Sequence, residues 1–228
     1  ALGIAKSYDS GFELSVEAFY KKMRNVISYE EGASFFTGFA SDWQTKITQG
    51  DGESYGFELF LQKKKGRTTG WLGYTLAWNN RTFPFINGGE KFPFRFDRRH
   101  DISLVLSHEL SKKVSFSAAW VYGTGNAISL STGQFQESPY FTIEVLGDKN
   151  AFRMSDYHRL DISLEFYRKK PKWERKWILS VYNTYWHRNP YYIISDTDID
   201  PNTGEEKRVL KEISVLPIIP SIAYSFKF

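Results

Sequence analysis

Apolar and polar residues alternate along most of the chain, which is the pattern of a β-strand whose two faces meet different surroundings. The alternation is clearest in the fourth segment, where Ile102, Leu104 and Leu106 are separated by residues such as Ser103. The pattern predicts about eight strands and no amphipathic helix. These strands are expected near residues 12–21, 55–62, 72–79, 101–110, 115–123, 159–166, 177–185 and 221–228.

The connections between these segments are alternately short and long. Short connections are expected at residues 7–11, 66–70, 111–113 and 169–176, and long ones at 30–52, 84–98, 131–157 and 195–208. Short turns on one side and long loops on the other are typical of an antiparallel up-and-down β-barrel in the bacterial outer membrane. Residues 2–5 look like the end of an earlier strand, so Ala1 is not expected to be the native start.

The composition also favours a barrel whose strands cross a membrane. Aromatic residues make up 18% of the chain, although its mean hydropathy is only −0.44. Such barrels concentrate rings at both membrane interfaces, while the side chains that face the lumen stay polar. No apolar stretch is long enough for a transmembrane helix. The net charge of +4 is small and dispersed, so no nucleic-acid partner is expected.

The sequence offers no set of residues suited to catalysis. The four histidines lie on different segments and lack the spacing of a metal site. No Ser–His–Asp order or acid pair stands out from the other carboxylates. The sequence therefore predicts that the protein is not an enzyme and uses neither a metal nor another cofactor.

Three segments carry a resemblance to a known family. The last residues place Ile222, Tyr224, Phe226 and Phe228 in alternation, which resembles the signal by which outer-membrane barrels are recognised for assembly. Residues 181–192 (VYNTYWHRNPYY) look like the penultimate strand of TonB-dependent receptors, and residues 94–101 (FRFDRRHD) look like a loop-to-strand segment of that family. The chain as a whole, residues 1–228, resembles the C-terminal barrel segment of such a receptor. The end of the chain is similar to receptors that carry a carboxypeptidase-regulatory-like N-terminal domain.

This resemblance implies a barrel of about 22 strands that is plugged by an N-terminal domain and lies in the bacterial cell outer membrane. Members import scarce, bulky ligands such as iron chelates, cobalamin or glycans, powered by the inner-membrane TonB complex. The implied partners are outer-membrane lipid, the plug, the remaining strands, TonB through the plug, and a surface lipoprotein. One alternative is a complete eight-stranded barrel with a structural or adhesive role. A second alternative is a barrel enzyme such as a lipase or protease.

Two groups of residues are candidates for function. Charged side chains on the polar faces of the strands are candidate lumen or plug contacts, although most of them, taken singly, are expected to form a ladder of cross-strand charge pairs. These are Glu58, Asp101, Arg159, Asp161 and Glu165. Aromatic residues of the long connections are candidate ligand contacts, but they could also pack the loops into a lid or meet a partner lipoprotein. These are Trp43, Phe83, Phe85, Tyr140 and Phe141.

Overall fold

A computed structural model describes residues 1–30, 46–138 and 141–228. Nine strands pair with their neighbours in chain order, and every pair is antiparallel. They are β1 (Leu2–Ser7), β2 (Phe12–Tyr29), β3 (Ile47–Lys63), β4 (Thr68–Thr82), β6 (His100–Ser111), β7 (Val114–Gly123), β12 (Tyr157–Lys170), β13 (Trp173–Tyr182) and β16 (Ile219–Lys227). The predicted all-β, antiparallel up-and-down order is thereby confirmed, with Leu2–Ser7 as one strand more than the predicted eight.

The connections at one end of this sheet contain further β-structure. They hold β5 (Phe92–Pro93), β8 (Ala127–Ile128), β9 (Ser131–Ser138), β10 (Phe141–Leu146), β11 (Phe152–Arg153), β14 (Tyr192–Ile199) and β15 (Glu206–Ile213), with a short 3-10 helix at Asn87–Gly89. β5 pairs with the far end of β4 and so belongs to the main sheet, whereas β8 and β11 pair with each other in a separate two-stranded sheet. We call this side of the sheet the extended end.

The opposite end of the sheet has tight turns. Gly11 and Gly66 adopt φ angles of +87° and +94° there, a conformation that glycine tolerates without steric cost. No helix within residues 1–30, 46–138 and 141–228 is long and apolar enough to cross a membrane.

The strand register sorts the side chains onto two faces. Leu72, Leu104, Trp120 and Leu160 are successive partners across four strands, and rows of this kind form an apolar face. The other face is polar. Its rows include the serines of five strands: Ser107, Ser117, Ser163, Ser180 and Ser221.

The sheet lacks a core beneath it in the part of the chain that the structure describes. The buried hydrophobic side chains there are Phe83, Ile86, Phe92, Ala127 and Met154, all of which belong to the extended end. On the apolar face, Leu106, Trp177 and Leu179 remain 41%, 41% and 43% exposed. An apolar surface that spans nine strands needs an apolar medium to cover it, as the lipid-facing side of a membrane barrel has.

The sheet is open among the residues that the structure describes. β1 pairs with β2 alone, and β16 pairs with β13 alone. A barrel closed at eight strands would instead pair β16 with β2. The alternative of a complete eight-stranded barrel is therefore wrong for this sheet.

The seventh predicted strand is shorter than its apolar pattern suggested. The pattern continues through Tyr185, whereas β13 ends at Tyr182. The next residue, Asn183, has a φ of +52° and is completely buried. Its amide group donates a hydrogen bond to the carbonyl oxygen of His187 and accepts one from the N–H of that residue, at 2.9 and 3.1 Å. This left-handed turn breaks the strand, because Asn tolerates the conformation and satisfies the local backbone.

Candidate ligand site at the extended end

A cavity of about 490 Å³ lies among the connections of the extended end. β2 contributes Ile27 and Ser28, β4 contributes Arg81, and β5 and β14 contribute Phe92 and Tyr192. The register places Arg81 on the same face of the sheet as Thr75 and Glu58. The cavity is therefore reached from the polar face.

Ten of the seventeen described residues that line the cavity are aromatic or apolar, among them Phe83, Phe92, Phe94, Met154, Tyr191 and Tyr192. The Phe83 and Phe92 rings stack with their centroids 6.1 Å apart, and with Ile86 they form the buried cluster against which Val26 of β2 packs. The wall thus rests on the best-packed part of the described chain. A wall of this kind is typical of small-molecule sites, which combine apolar surface with a few placed polar groups.

Three cations also line the cavity, namely Arg81, Arg95 and Lys149. The Arg81 guanidinium lies 4.3 Å from the centroid of the Phe94 ring and donates to Asn79 Oδ1 at 2.7 Å. Lys149 Nζ donates to Ser28 Oγ at 2.8 Å, while the Arg95 side chain is exposed. No Asp or Glu is among the described lining residues.

A buried carboxylate, Asp97, fixes the segment that carries Phe94 and Arg95. Its Oδ1 accepts a hydrogen bond from the backbone N–H of Asn79 at 2.6 Å. Its Oδ2 lies 2.6 Å from Arg153 and 3.4 Å from Arg99. We call these contacts the Asp97 clasp. The clasp joins β4, the segment before β6, and β11, and it uses Asp97 and Arg99 of the FRFDRRHD segment.

A second cavity of about 680 Å³ at the same end has different surroundings. Its strand residues include Lys22 and Glu53, which share a face with Tyr20 and therefore belong to the apolar side of the sheet. Lys91 Nζ lies 2.9 Å from Glu53 Oε2, and this hydrogen bond raises the pKa of Lys91. Asp51 also lines the cavity, so its cations are matched by carboxylates.

The predicted loop contacts have mixed outcomes in the structure. Phe83 lines the first cavity, although its side chain is only 2% exposed. Phe85 is 77% exposed and lies outside that cavity. Phe141 belongs to β10, and its side chain lies outside what the structure describes, as do Trp43 and Tyr140 altogether.

The predicted lumen residues Glu58, Asp101, Arg159, Asp161 and Glu165 all lie on the polar face. Four of them have ion-pair partners. Arg159 contacts Asp161 at 2.9 Å, and its guanidinium also donates to the hydroxyls of Tyr157 and Tyr182.

Of the other three predicted lumen residues, two form ion pairs and one does not, among the described residues. Glu165 contacts Lys176 at 2.9 Å, and Asp101 contacts Arg98 at 3.5 Å. Glu58 instead lies opposite Glu17 in the β2–β3 register, and it makes no ion pair among the described residues. Like charges directly opposite each other destabilise a sheet pair, so a simple ladder of charge pairs does not describe this position.

The structure also brings together two histidines that the sequence left apart. The rings of His158 and His187 stack with their centroids 3.5 Å apart, and His158 Nδ1 lies 2.9 Å from the hydroxyl oxygen of Tyr185. Within the described ranges, no group of three or more His, Asp or Glu side chains is arranged to hold a metal ion.

Comparison with known families decides the identity of this sheet. The family described as "TonB dependent receptor-like, beta-barrel" matches residues 2–183. The chain belongs to this family. The resemblance drawn from the sequence is thereby confirmed, and no curated protein matches the chain.

Family membership indicates the surroundings of the two faces of the sheet. The TonB-dependent receptor barrels are a transporter family of the bacterial outer membrane, not an enzyme family. In this family a complete barrel holds a plug, and the receptor interacts with TonB. In a transmembrane barrel the apolar face meets lipid and the polar face meets the interior.

Proposed function

We propose that this chain forms part of the wall of an outer-membrane receptor that imports a scarce, bulky ligand by TonB-dependent transport. The cavity of about 490 Å³ at the extended end, reached from the polar face, carries this proposal. In outer-membrane barrels the longer connections lie outside the cell, so the extended end is the extracellular side. The cavity then belongs to the ligand-binding surface above the lumen.

The open edges of the sheet support a larger barrel. β1 and β16 each have one unpaired side among the described residues. Unpaired backbone groups cost several kcal/mol each in hydrocarbon, so a sheet that spans the membrane must be closed by further strands. We propose that residues 1–228 are the C-terminal segment of a barrel of about 22 strands with an N-terminal plug.

The polar face is the surface that such a plug would contact. Glu17 and Glu58 leave two carboxylates without a basic partner among the described residues, which suits a cationic side chain of the plug. Outer-membrane lipid and, at the exposed Phe85, a surface lipoprotein complete the proposed partners.

The proposed import is tested by comparing three strains: the wild type, a strain without the receptor, and a strain without TonB. Mass spectrometry of the spent growth medium should find at least one compound that only the wild type consumes. If both mutant strains consume every compound that the wild type does, the import proposal is contradicted.

The same measurement tests the cavity. Phe94→Ala removes a wall ring and the support of the Arg81 guanidinium, so it should lower consumption of that compound at least several-fold. Phe135→Ala is the matched control, since that ring is exposed at the same end and lies outside the cavity. Equal consumption by the two variants would show that the cavity is not a ligand contact.

We also propose that Ile222, Tyr224, Phe226 and Phe228 act as the assembly signal. Phe228 lies with its ring centroid 5.8 Å from that of Phe226 and is 96% exposed. In the intact receptor, Phe228→Ser should reduce the folded fraction in outer membranes, scored by heat-modifiable migration on gels. Lys227→Ser keeps every ring and is the control, and an undiminished folded fraction for Phe228→Ser would argue against a signal.

A further inference from the structure

We infer that the cavity at the extended end binds an anionic group of the imported ligand, carried on a flat aromatic or otherwise apolar ring. This inference rests on the proposed import function and names the chemical class of its ligand. The groups in question are a carboxylate, a phosphate or a sulfate. Each carries several oxygen atoms, in a planar or a tetrahedral arrangement, that accept hydrogen bonds from cations.

The described residues that line the cavity include cations but no carboxylate. The cations are Arg81, Arg95 and Lys149. The buried carboxylate nearby in sequence, Asp97, is already neutralised by Arg99 and Arg153. Arg81 and Arg95 form no ion pair among the described residues, so their two guanidinium groups repel each other across one partly enclosed space, and a bound anion relieves that repulsion.

Arg81 is the best-positioned of the three cations. Its guanidinium is held against the Phe94 ring, and Nη1 donates to Asn79 Oδ1 and to the carbonyl oxygen of Asn80 at 2.7 and 3.0 Å. These contacts fix the planar group without neutralising it, because both acceptors are uncharged. A guanidinium held in this way loses little conformational freedom when it binds an oxyanion.

The other two cations are presented from different connections. Arg95 is exposed and forms no ion pair among the described residues, while its guanidinium lies 5.7 Å from the Phe96 ring. Lys149 is tied to β2 through Ser28 Oγ and the carbonyl oxygen of Tyr29, at 2.8 and 2.9 Å. These two contacts hold the ammonium group of Lys149 in the cavity wall.

The aromatic side chains of the cavity wall favour a ligand that contains a flat ring. Tyr191 and Tyr192 contact each other edge to face with centroids 5.5 Å apart, and both line the cavity with Phe94. Flat rings pack well against such side chains, in stacked or edge-to-face geometry. The cavity of about 490 Å³ is within the range of roughly 300–1,000 Å³ that is typical of small-molecule sites.

The second cavity shows why this assignment is specific. There the cations Lys22 and Lys91 stand beside Asp51 and Glu53, so the local charge is balanced. An anion gains little in those surroundings. Arg81, by contrast, has no carboxylate partner among the described residues and lies on the polar side of the sheet, where an imported ligand passes.

The test uses the intact receptor, purified in detergent, and calorimetric titration with naphthalene-1,3,6-trisulfonate. This probe is a flat ring with three negative charges, and its charge keeps it out of micelles. The uncharged trisulfonamide of the same ring is the matched probe. We expect saturable binding of the trisulfonate, and at least tenfold weaker binding of the trisulfonamide.

Three variants locate the binding. Arg81→Met combined with Arg95→Met should raise the Kd for the trisulfonate at least tenfold, and Arg95→Met alone should raise it several-fold. Lys207→Met removes one exposed charge from the same end but outside the cavity, and it should leave the Kd unchanged. Arg95 is exposed, so Arg95→Met should not disturb folding of the receptor. This single variant therefore still tests the inference if the double variant fails to insert into the membrane.

The inference is overturned if the wild-type receptor shows no saturable binding of the trisulfonate, or if the Lys207 and Arg95 variants bind it equally. Its failure is distinguishable from failure of the proposed function. If the trisulfonate experiment fails while TonB-dependent consumption of a compound persists, only the ligand class is wrong. If no compound is consumed in a TonB-dependent manner, the import proposal itself is wrong.

Discussion

Leu164→Arg is expected to destabilise the folded barrel by roughly 2–4 kcal/mol, which is the cost of a cationic side chain on the lipid face at the bilayer midplane. Leu164 pairs with Phe116 and Leu179, and Leu179 pairs with Ile222, so its row on the apolar face is hydrophobic across four strands. An arginine there replaces an apolar contact with lipid by a charge that lipid cannot solvate.

The adjacent residue provides the control. Ser163 lies on the polar face in the row of serines, where the hydroxyls of Ser180 and Ser221 are 2.7 Å apart. Ser163→Arg should therefore cost much less, because its side chain can reach water in the interior. The free energy of unfolding is measured by urea titration of the receptor in lipid vesicles. Equal costs for the two variants would show that the faces are wrongly assigned.

Asp97→Ala should open the extended end, with a local loss of about 2–3 kcal/mol. Removing one partner of a fully buried ion pair costs about 3–5 kcal/mol, and we expect less because Arg99 and Arg153 keep about a third of their side-chain surface in water. The substitution removes the acceptor for the Asn79 N–H as well as the clasp between β4 and β11.

Amide hydrogen exchange measures this opening locally. Backbone groups at Asn79–Arg81 and Phe152–Arg153 should exchange roughly 30- to 150-fold faster in Asp97→Ala, the factor that corresponds to about 2–3 kcal/mol. Asp198→Asn is the control, since this exposed carboxylate at the same end forms no ion pair among the described residues. Unchanged exchange at Asn79–Arg81 would mean that the clasp does not hold the segment.

The sequence predicted the strands well because a membrane barrel imposes one simple rule. Lipid on one face and water on the other force a period of two, so Leu104 and Asp101 could be assigned to opposite faces from their positions alone. The strand register confirms the assignment of the two faces for the eight predicted strands. The rule does not apply to the extended end, and the predictions were less successful there.

Beyond the membrane the sequence was a poorer guide. The hairpin of β14 and β15 was expected to be mostly loop, because strands surrounded by water on both faces need no alternation. The break at Asn183 was missed because an asparagine in a left-handed turn gives no signal in an apolar pattern. Glycine at that position would have been an easier signal to recognise.

The residues of the proposed ligand site could not be brought together from the sequence. Arg81 ends a strand, Arg95 lies in the following connection, and Lys149 comes from a connection more than fifty residues later. The pairing of β4 with β5 and the Asp97 clasp position Arg81 and Arg95, while hydrogen bonds to Asn87 and Ser28 position Lys149. Of the aromatic residues predicted as ligand contacts, Phe83 lines this cavity, whereas the cations beside the rings gave no signal in the sequence.

The central claim is that this sheet spans a membrane with its apolar face in lipid and its polar face toward a water-filled interior. The chain contains no cysteine, so single cysteines for spin labels can be introduced at successive positions of β12 in the intact receptor. Labels at Ile162 and Leu164 should be accessible to oxygen dissolved in lipid, and labels at Asp161, Ser163 and Glu165 to a water-soluble nickel chelate. A period of two in these accessibilities is the predicted result, and equal access to the nickel chelate at all five positions would contradict it.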